Sequence, residues 1–357
     1  MLSTIRENVR LAPYTTLRIG GIARYFSDVH NEEQLHEALN FAQLLKLPIF
    51  VLGGGSNVLI ADIGFSGLVL HLALTGISFQ KPKKDAALVM AAAGEDWDGF
   101  VKKCVARGLT GIECLSGIPG LVGGTPIQNV GAYGQEVSQT IVAVRVYDRQ
   151  QKRITEMNHE QCRFSYRASI FNTTERDRYI VLAVTYKLKT HGEPDLHYPD
   201  LQKYFAERKQ PPELHEVREA VRIIRASKGM LISANDLDCQ SAGSFFKNPM
   251  ITAEEFTQLE ATAKNLKLIT DSDRVPNFAA PDGKVKVPAA WLIEQAGFYK
   301  GYGRGRVGIS SKHTLAIINR SNATASEVME FVQQIQTQVR EKFGIALVTE
   351  PVLIGFN

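Results

Sequence analysis

The 357-residue sequence contains few cysteines, and their spacing suits neither a metal site nor a disulfide framework. No two of them form a C-x-x-C pair, and no histidine cluster accompanies them. The four lie at Cys104, Cys114, Cys162 and Cys239. We therefore expect no metal, reduced thiols and a cytoplasmic protein, because thiols stay reduced in the cytosol.

Long apolar runs and concentrated positive charge are also missing. No stretch is long enough to span a bilayer, and residues 1–10 lack the apolar core of a signal peptide. The net charge is +4, but Lys and Arg are scattered, which argues against a nucleic-acid surface. A local cationic pocket for a small anion remains compatible with this charge. Nothing in the sequence demands a partner chain, so we expect a monomer.

The two common nucleotide-binding fingerprints are absent as well. No Gly-Lys pair is followed by Ser or Thr, so there is no P-loop. Residues 53–58 fail the G-x-G-x-x-G pattern at its last position, and the glycines of 117–123 have the wrong spacing. Both glycine clusters nevertheless follow apolar strands. They could hold a phosphate with backbone N–H groups or could simply be tight turns.

The periodic segments indicate an α+β protein in which sheets and helices are partly segregated. Helices are predicted to begin at the capping residues Asn31, Thr252 and Thr324. The stripe of the last helix should end at Gly344. Further helices are predicted over 97–107, 213–226 and 288–297, and strands over 48–52, 67–70, 88–91, 141–147, 179–188 and 345–354. The polar stretch 226–239 is typical of a linker.

The most informative segment is 243–249, with the sequence GSFFKNP. Ser244 stands between a glycine and two aromatic rings, with Lys247 and Asn248 behind it. One interpretation is a buried strand that ends in a turn at Asn248-Pro249. The other is a backbone held by packing, with the serine oxygen left free for chemistry. The segment alone favours the first.

Five motifs occur along the chain in a fixed order, at 52–57 (LGGGSN), 116–124 (SGIPGLVGG), 128–134 (QNVGAYG), 164–169 (FSYRAS) and 243–249 (GSFFKNP). Together they resemble the UDP-N-acetylenolpyruvoylglucosamine reductases. The resemblance implies the two-subdomain FAD-binding fold of the vanillyl-alcohol-oxidase and p-cresol-methylhydroxylase type, with a C-terminal α+β substrate domain. The implied divisions are 1–72 joined by the strand within 345–357, then 73–226, then 227–344.

The same resemblance implies the chemistry. NADPH would reduce FAD, and FAD would pass the hydride to the enolpyruvyl group of UDP-N-acetylglucosamine enolpyruvate. The product would be UDP-N-acetylmuramate for peptidoglycan synthesis. The substrate is thus a UDP-sugar, and the flavin carries the hydride while the protein stabilises and protonates the enolate.

Site residues follow from matching the motifs position by position. The implied catalytic residues are Arg167, Ser244 and Glu350. Arg167 would bind the carboxylate, Ser244 would donate a proton to C2, and Glu350 would assist them. The implied FAD contacts are Gly53, Gly54, Gly55, Ser56, Asn57, Gly123, Gly124, Thr125, Gln128, Asn129, Gly131 and Ala132. The implied substrate contacts are Tyr166, Tyr198, Lys228, Asn248 and Gln295.

Two alternatives stay open at this point. One is an FAD-dependent oxidase of the same fold that acts on a small alcohol or sugar. Many such enzymes attach the flavin to His or Cys, and neither glycine-rich segment offers a His. The other is a non-catalytic nucleotide-binding module, which would give Arg167, Ser244 and Glu350 no reason to coexist with the flavin loops.

Overall fold

The computed structural model of the chain describes residues 4–233 and 236–356. Two compact units share them. The first unit consists of Met1–Val9, Ala23–Gly54 and Ser66–Ile232, and the second of Arg10–Ile22, Gly55–Phe65 and Ser233–Asn357. Their last boundary falls inside the predicted linker, of which Ala234 and Asn235 lie outside the described residues, as do residues 1–3 and 357. The finer predicted division into two FAD subdomains stays a prediction.

Three helices begin at the capping residues that the sequence predicted. Asn31 and Thr252 each accept a backbone N–H in the first turn, and Thr324 does the same for the longest helix. That helix ends at Gly344 with φ 71°, as predicted. The described helices are α1 (Glu32–Leu44), α2 (Trp97–Val105), α3 (His159–Cys162), α4 (Pro199–Tyr204), α5 (Leu214–Ser227), α6 (Ala253–Asn265), α7 (Ala289–Gln295) and α8 (Ala325–Phe343). In the described part of the chain, no helix combines the length and apolarity needed to cross a membrane.

The first unit is built on two sheets and a small hairpin. One sheet has the order β1-β2-β5-β3, formed by Ile5–Arg10, Ile22–Val29, Phe65–Leu72 and Ile49–Leu52. The larger antiparallel sheet has the order β12-β11-β13-β7-β6, formed by Arg153–Asn158, Ile141–Asp148, Tyr179–Thr190, Ala86–Ala92 and Ile77–Phe79. Strand β8 (Leu109–Thr110) pairs with β13, and β9 (Gly131–Ala132) with β10 (Gln135–Glu136). The rings of Trp97, Phe100 and Tyr186 meet in this unit's core.

The second unit carries three small sheets. The first has the order β14-β20-β19-β18, formed by Ser241–Ser244, Ala316–Asn319, Val307–Ile309 and Gly303–Arg304. The second has the order β15-β17-β16, formed by Met250–Ile251, Val285–Lys286 and Phe278–Ala279. In the third, β21 (Val352–Ile354) runs parallel to β4 (Val58–Ile60). The predicted α8 stripe is buried in this unit's core together with Phe245 and Phe246.

The prediction of one long strand over 345–354 was wrong in extent. Only Val352–Ile354 forms a strand. Ile345 and Leu347 are buried while their neighbours Ala346 and Val348 are exposed, which is the alternation of a strand. Pairing in this segment is limited to an isolated antiparallel bridge between Thr349 and Phe246. Pro351 has no N–H to donate and separates this segment from β21. Glu350 therefore lies just before the strand.

Candidate active site

Ser244 is the last residue of β14 and lies at an irregular point in its sheet. Ser241 pairs with Ile318 and Ser244 with Ala316, so the first strand has one more residue than its partner over this interval. Gly243 takes up the irregularity with φ 73°, a conformation that costs glycine little and other residues more. A bulge of this kind re-aims the side chain that follows it.

Glu350 lies on the segment that pairs with the residues after Ser244. The N–H of Glu350 donates to the carbonyl of Phe245 at 2.9 Å, and the N–H of Lys247 donates to Val348 at 2.9 Å. Ser244 and Glu350 are both half-buried. Across the described residues, the Ser244 hydroxyl has no hydrogen-bond partner, whereas Phe245 and Phe246 are fully buried. The structure thus combines both sequence interpretations, because packing fixes the backbone and leaves the hydroxyl available.

The end of the first glycine cluster joins the same region of the second unit. The side-chain amide of Asn57 donates to the Glu350 carbonyl at 3.4 Å, and the Val352 N–H donates to the Asn57 carbonyl at 3.0 Å. Gly55 has φ 60°, and a Cβ there would lie 1.9 Å from the Tyr14 oxygen. Gly55 is therefore required by the fold itself.

Arg167 occupies the tip of a tight turn in the first unit. Ser165 and Ala168 exchange both backbone hydrogen bonds across it, at 2.9 and 3.1 Å, and Arg167 has φ 54°. Its Nη2 donates to the Gly131 carbonyl at 2.8 Å, and its guanidinium lies 5.3 Å from the centre of the Tyr166 ring. The structure therefore brings together Arg167, Tyr166 and the loop predicted to contact the flavin.

That loop is shaped around the arginine. Strands β9 and β10 are joined through Tyr133 and Gly134, both with positive φ (49° and 87°), as a two-residue hairpin requires. A Cβ on Gly131 would lie 3.2 Å from Nη1 of Arg167 and 2.7 Å from the side chain of Glu136. Glycine at 131 thus leaves room for the guanidinium. Two other predicted flavin contacts of this loop, Gln128 and Ala132, are half-buried.

The side chain of Asn129 has a structural role within this loop. Its side chain is buried and fully engaged within the protein. Its amide donates to Glu136 at 2.9 Å and to the Ser165 carbonyl at 3.0 Å, while its oxygen accepts from the Ser138 N–H at 3.1 Å. Asn129 ties the loop to the Arg167 turn, and a contact with the flavin stays a prediction.

Two glycines provide a test of whether the chain fits FAD. Gly53 and Gly124 have no positive φ, and a Cβ on either would meet no atom within 4 Å. Neither backbone conformation nor packing within the chain explains glycine there. A ligand that approaches the backbone closely does explain it. Gly54 differs, because its Cβ would lie 2.7 Å from the α-carbon of Gly120. The two glycine-rich segments therefore touch, and the residues fit a dinucleotide cofactor.

The backbone N–H groups of 123–125 donate hydrogen bonds within the chain. The N–H of Gly123 donates to Ala93, that of Gly124 to Leu121 and that of Thr125 to Val122, at 2.9, 3.0 and 3.0 Å. The Thr125 hydroxyl is buried against the Tyr186 hydroxyl at 2.8 Å. These groups maintain the short helical turn. The α-carbon of Gly124 is open to a ligand, and the FAD contacts of Gly123, Gly124 and Thr125 stay predictions.

Tyr198 and Lys228 are brought together through Tyr133. The Lys228 amine lies 5.7 Å from the centre of the Tyr133 ring, and the Tyr133 and Tyr198 rings meet edge to face at 5.3 Å. The Lys228 amine also donates to Asp200 at 2.5 Å. Burial opposes the charge on Lys228, but the hydrogen bond to Asp200 together with the charges of Asp200, Tyr133 and Tyr198 outweighs it and raises the pKa of the amine. The cluster offers a cation and an exposed phenol.

Asn248 and Gln295 lie at opposite ends of α7 in the second unit. The side-chain oxygen of Asn248 accepts from the Ala289 N–H at 2.9 Å, which satisfies a free donor at the helix start. The Gln295 carbonyl accepts from Lys342 at 2.6 Å. Asn248 thus has a structural role at α7, and its predicted substrate contact stays a prediction, as does that of Gln295.

Sequence reasoning missed the charged network that holds Gly117, in the second glycine-rich segment. Asp98 accepts from Arg218 at 2.7 and 2.8 Å and from the Gly117 N–H at 2.6 Å. Arg225 donates to the Gly117 carbonyl at 3.0 Å. Burial alone would raise the pKa of Asp98, but hydrogen bonds from Arg218 and Gly117 and the charge of Arg222 lower it. The helical spacing of Arg218, Arg222 and Arg225 along α5 was the signal in the sequence that could have pointed to this network.

No cluster of three or more His, Cys, Asp or Glu side chains suited to a metal occurs in the described ranges 4–233 and 236–356. The four cysteines are buried, unbridged thiols. Burial raises the pKa of the Cys104 and Cys162 thiols to about 12, so neither is a reactive thiolate near neutral pH.

Comparison with known proteins identifies both parts of the chain. Residues 235–354 match the UDP-N-acetylenolpyruvoylglucosamine reductase C-terminal domain, and residues 23–156 match an FAD binding domain. The UDP-N-acetylenolpyruvoylglucosamine reductase of Thermobifida fusca is 44% identical over 358 residues, covering 99% of both chains. The reductase of the same name from Streptomyces coelicolor is 42% identical over 349 residues, covering 97% of this chain and 89% of the relative.

A solved structure agrees over nearly the same length. The UDP-N-acetylenolpyruvylglucosamine reductase of Thermus caldophilus superposes with a TM-score of 0.65 at 26% identity, covering 98% of this chain and 99% of that one. The predicted α+β FAD-binding fold with a C-terminal domain and the predicted FAD cofactor are confirmed, and the reductase is favoured over the oxidase. The chain belongs to the UDP-N-acetylenolpyruvoylglucosamine reductase family.

Proposed function

We propose that this protein uses NADPH to reduce the enolpyruvyl group of UDP-N-acetylglucosamine enolpyruvate to UDP-N-acetylmuramate, a cytoplasmic step of peptidoglycan synthesis. The observation that carries the proposal is the pairing of the Ser244 and Glu350 segments, which presents a half-buried hydroxyl on a backbone fixed by Phe245 and Phe246. When bound, FAD supplies hydride transfer from NADPH to C3 of the enolpyruvyl group. The protein supplies binding, charge stabilisation and a proton.

Arg167 is proposed to bind the substrate carboxylate. Its Nη2 donates to the Gly131 carbonyl, which orients the planar guanidinium, and the shape of a guanidinium matches that of a carboxylate. As negative charge develops at C2 and the carboxylate, a fixed guanidinium stabilises the transition state more than the ground state. This role explains why a bulky residue is held at positive φ at the tip of a turn.

Ser244 is proposed to donate its proton to C2, completing the addition of hydride and proton across the double bond. A serine is a weak acid, so this step requires a strongly basic enolate and close placement of the hydroxyl. The bulge at Gly243 and the buried rings of Phe245 and Phe246 supply the placement. Glu350, on the adjoining segment, is proposed to assist the serine, which then regains its proton from solvent.

We propose that the UDP portion of the substrate binds to residues other than the three catalytic ones. Lys228 and Tyr198 form a cationic and phenolic cluster suited to a diphosphate. Asn248 and Gln295, at the two ends of α7, are proposed to contact the remaining nucleotide portion. We propose that the enzyme acts as a monomer on this soluble small molecule.

The proposal is tested with purified protein under anaerobic conditions. We expect bound FAD, bleaching of its visible absorption by NADPH, and recovery on addition of UDP-N-acetylglucosamine enolpyruvate with formation of UDP-N-acetylmuramate. A colourless protein that takes up no FAD would sink the proposal. Bleaching by NADPH with recovery only on admission of oxygen would instead support an oxidase.

A further inference from the structure

We propose that Asn172 is a positioning residue that holds Arg167 in its working conformation. This inference rests on the proposed role of Arg167 in binding the substrate carboxylate. Asn172 lies outside the motifs that identify the family, and its side chain faces the backbone of the arginine turn. Its Nδ2 donates to the Arg167 carbonyl at 3.2 Å.

The Asn172 amide is itself held in one orientation. Its Oδ1 accepts from the Ser169 N–H at 2.9 Å, so the oxygen and the nitrogen of the amide serve different parts of one turn. Ser169 is buried, and its hydroxyl donates to the Ile127 carbonyl at 2.7 Å. The Asn172 amide therefore connects the Arg167 peptide to Ser169, which is itself fixed in the core of the first unit.

This restraint opposes a conformational cost. A left-handed backbone is unfavourable for a residue other than glycine, and Arg167 has φ 54°. Asn129 holds the other end of the turn through the Ser165 carbonyl at 3.0 Å. Without the Asn172 bond, the Arg167 peptide is free to relax, and the guanidinium leaves the Gly131 carbonyl that orients it.

Two substitutions separate the donor from the acceptor. Asn172→Asp keeps an oxygen for the Ser169 N–H but cannot donate to the Arg167 carbonyl, whereas Asn172→Ala removes both bonds. We expect both variants to slow reoxidation by UDP-N-acetylglucosamine enolpyruvate by about tenfold to a hundredfold, as small misplacements do. Bleaching of FAD by NADPH should proceed at the wild-type rate, and FAD content should not change.

A double-mutant cycle with Arg167→Lys makes the test specific. If Asn172 acts through Arg167, Asn172→Asp should slow reoxidation far less in the Arg167→Lys background than in the wild type. Asn31→Ala, which removes a comparable capping bond at α1 in the same unit, serves as the matched control and should leave both half-reactions unchanged. The proposal would be overturned if Asn172→Asp slowed reoxidation by the same factor in both backgrounds, or if it slowed both half-reactions equally.

The outcome is separable from that of the proposed function. If the wild-type protein does not turn over this substrate, the proposed function fails, whatever Asn172 does. If the wild-type protein turns over and Asn172→Asp reoxidises at the wild-type rate, the positioning role alone is overturned.

Discussion

The backbone N–H of Glu350 donates a 2.9 Å hydrogen bond to the carbonyl oxygen of Phe245, the residue that follows Ser244. Main-chain bonds therefore set the spacing between the serine and the acid, and do so without using either side chain. A substitution of either side chain should leave the pairing intact, because the backbone groups are unchanged. Side-chain chemistry can thus be tested here with little risk to the fold.

Ser244→Ala tests the proposed proton donor. We expect NADPH to bleach the bound FAD at the wild-type rate, while reoxidation by UDP-N-acetylglucosamine enolpyruvate falls by about 10²–10⁴-fold, the usual contribution of a general acid. Anaerobic stopped-flow spectroscopy measures the two steps separately. An equal loss in both half-reactions would mean that the serine is structural.

Gly243→Ala tests the bulge that precedes the serine. Gly243 has φ 73° and open space around its α-carbon, so alanine adds backbone strain of about 1–2 kcal/mol without a clash. We expect a lower melting temperature together with a slower substrate half-reaction.

Gly344→Ala is the matched control for that experiment, with φ 71° and the same open surroundings at the end of α8. It should lower the melting temperature by a similar amount and leave the half-reaction unchanged. If both variants lose activity equally, the strain acts through general stability and the bulge has no special role.

Gly124→Ala tests the FAD site. The position has no positive φ and no atom within 4 Å of an added Cβ, and alanine is about 0.5–1 kcal/mol better than glycine in helical backbone. The protein without FAD should melt at or above the wild-type temperature. FAD affinity, followed by quenching of flavin fluorescence, should weaken because the methyl group occupies the ligand's space. Unchanged affinity would remove Gly124 from the cofactor site.

Asp98→Asn tests the network around Gly117 through pH. The pKa of Asp98 is lowered in the folded protein, so its stabilising effect is complete above the usual value of 3.8 and is lost as pH falls through the lowered value. Near neutral pH the variant should be destabilised by about 3 kcal/mol, because two arginines lose their partner. The difference from wild type should shrink as the carboxyl protonates. Thermal melts across the acid range measure it, and a deficit that is independent of pH would contradict this account.

Sequence predicted the features that depend on neighbours in the chain. The caps at Asn31, Thr252 and Thr324 and the end of α8 at Gly344 were correct because each is a local backbone rule. The strand over 345–354 was wrong because Ile345 and Leu347 alternate in burial without pairing partners, and the alternation was all that the sequence offered.

The sequence supplied the candidate site residues but not the contacts that hold them in place. Motif matching supplied Arg167, Ser244 and Glu350 as catalytic candidates. It also supplied Asn129 as a flavin contact, but it did not reveal that the Asn129 side chain holds the arginine turn. The Asp98 carboxylate and the Asn172 amide could not be found in this way. Asp98 binds Arg218 and Arg222, which lie 120 and 124 positions away and are brought to it by tertiary packing. Asn172 binds residues of its own turn, but it lies outside the matched motifs.

The pairing of Phe245 with Glu350 has a consequence for the order in which the molecule folds. Phe245 and Glu350 are about a hundred positions apart in the sequence. Ser165 and Ala168, whose hydrogen bonds close the arginine turn, are only three positions apart. Closing the longer loop costs more entropy and comes later than local turns do. We therefore expect the surroundings of Ser244 to form after the arginine turn, so that a chain arrested part-way would hold the turn without the proposed proton donor in place.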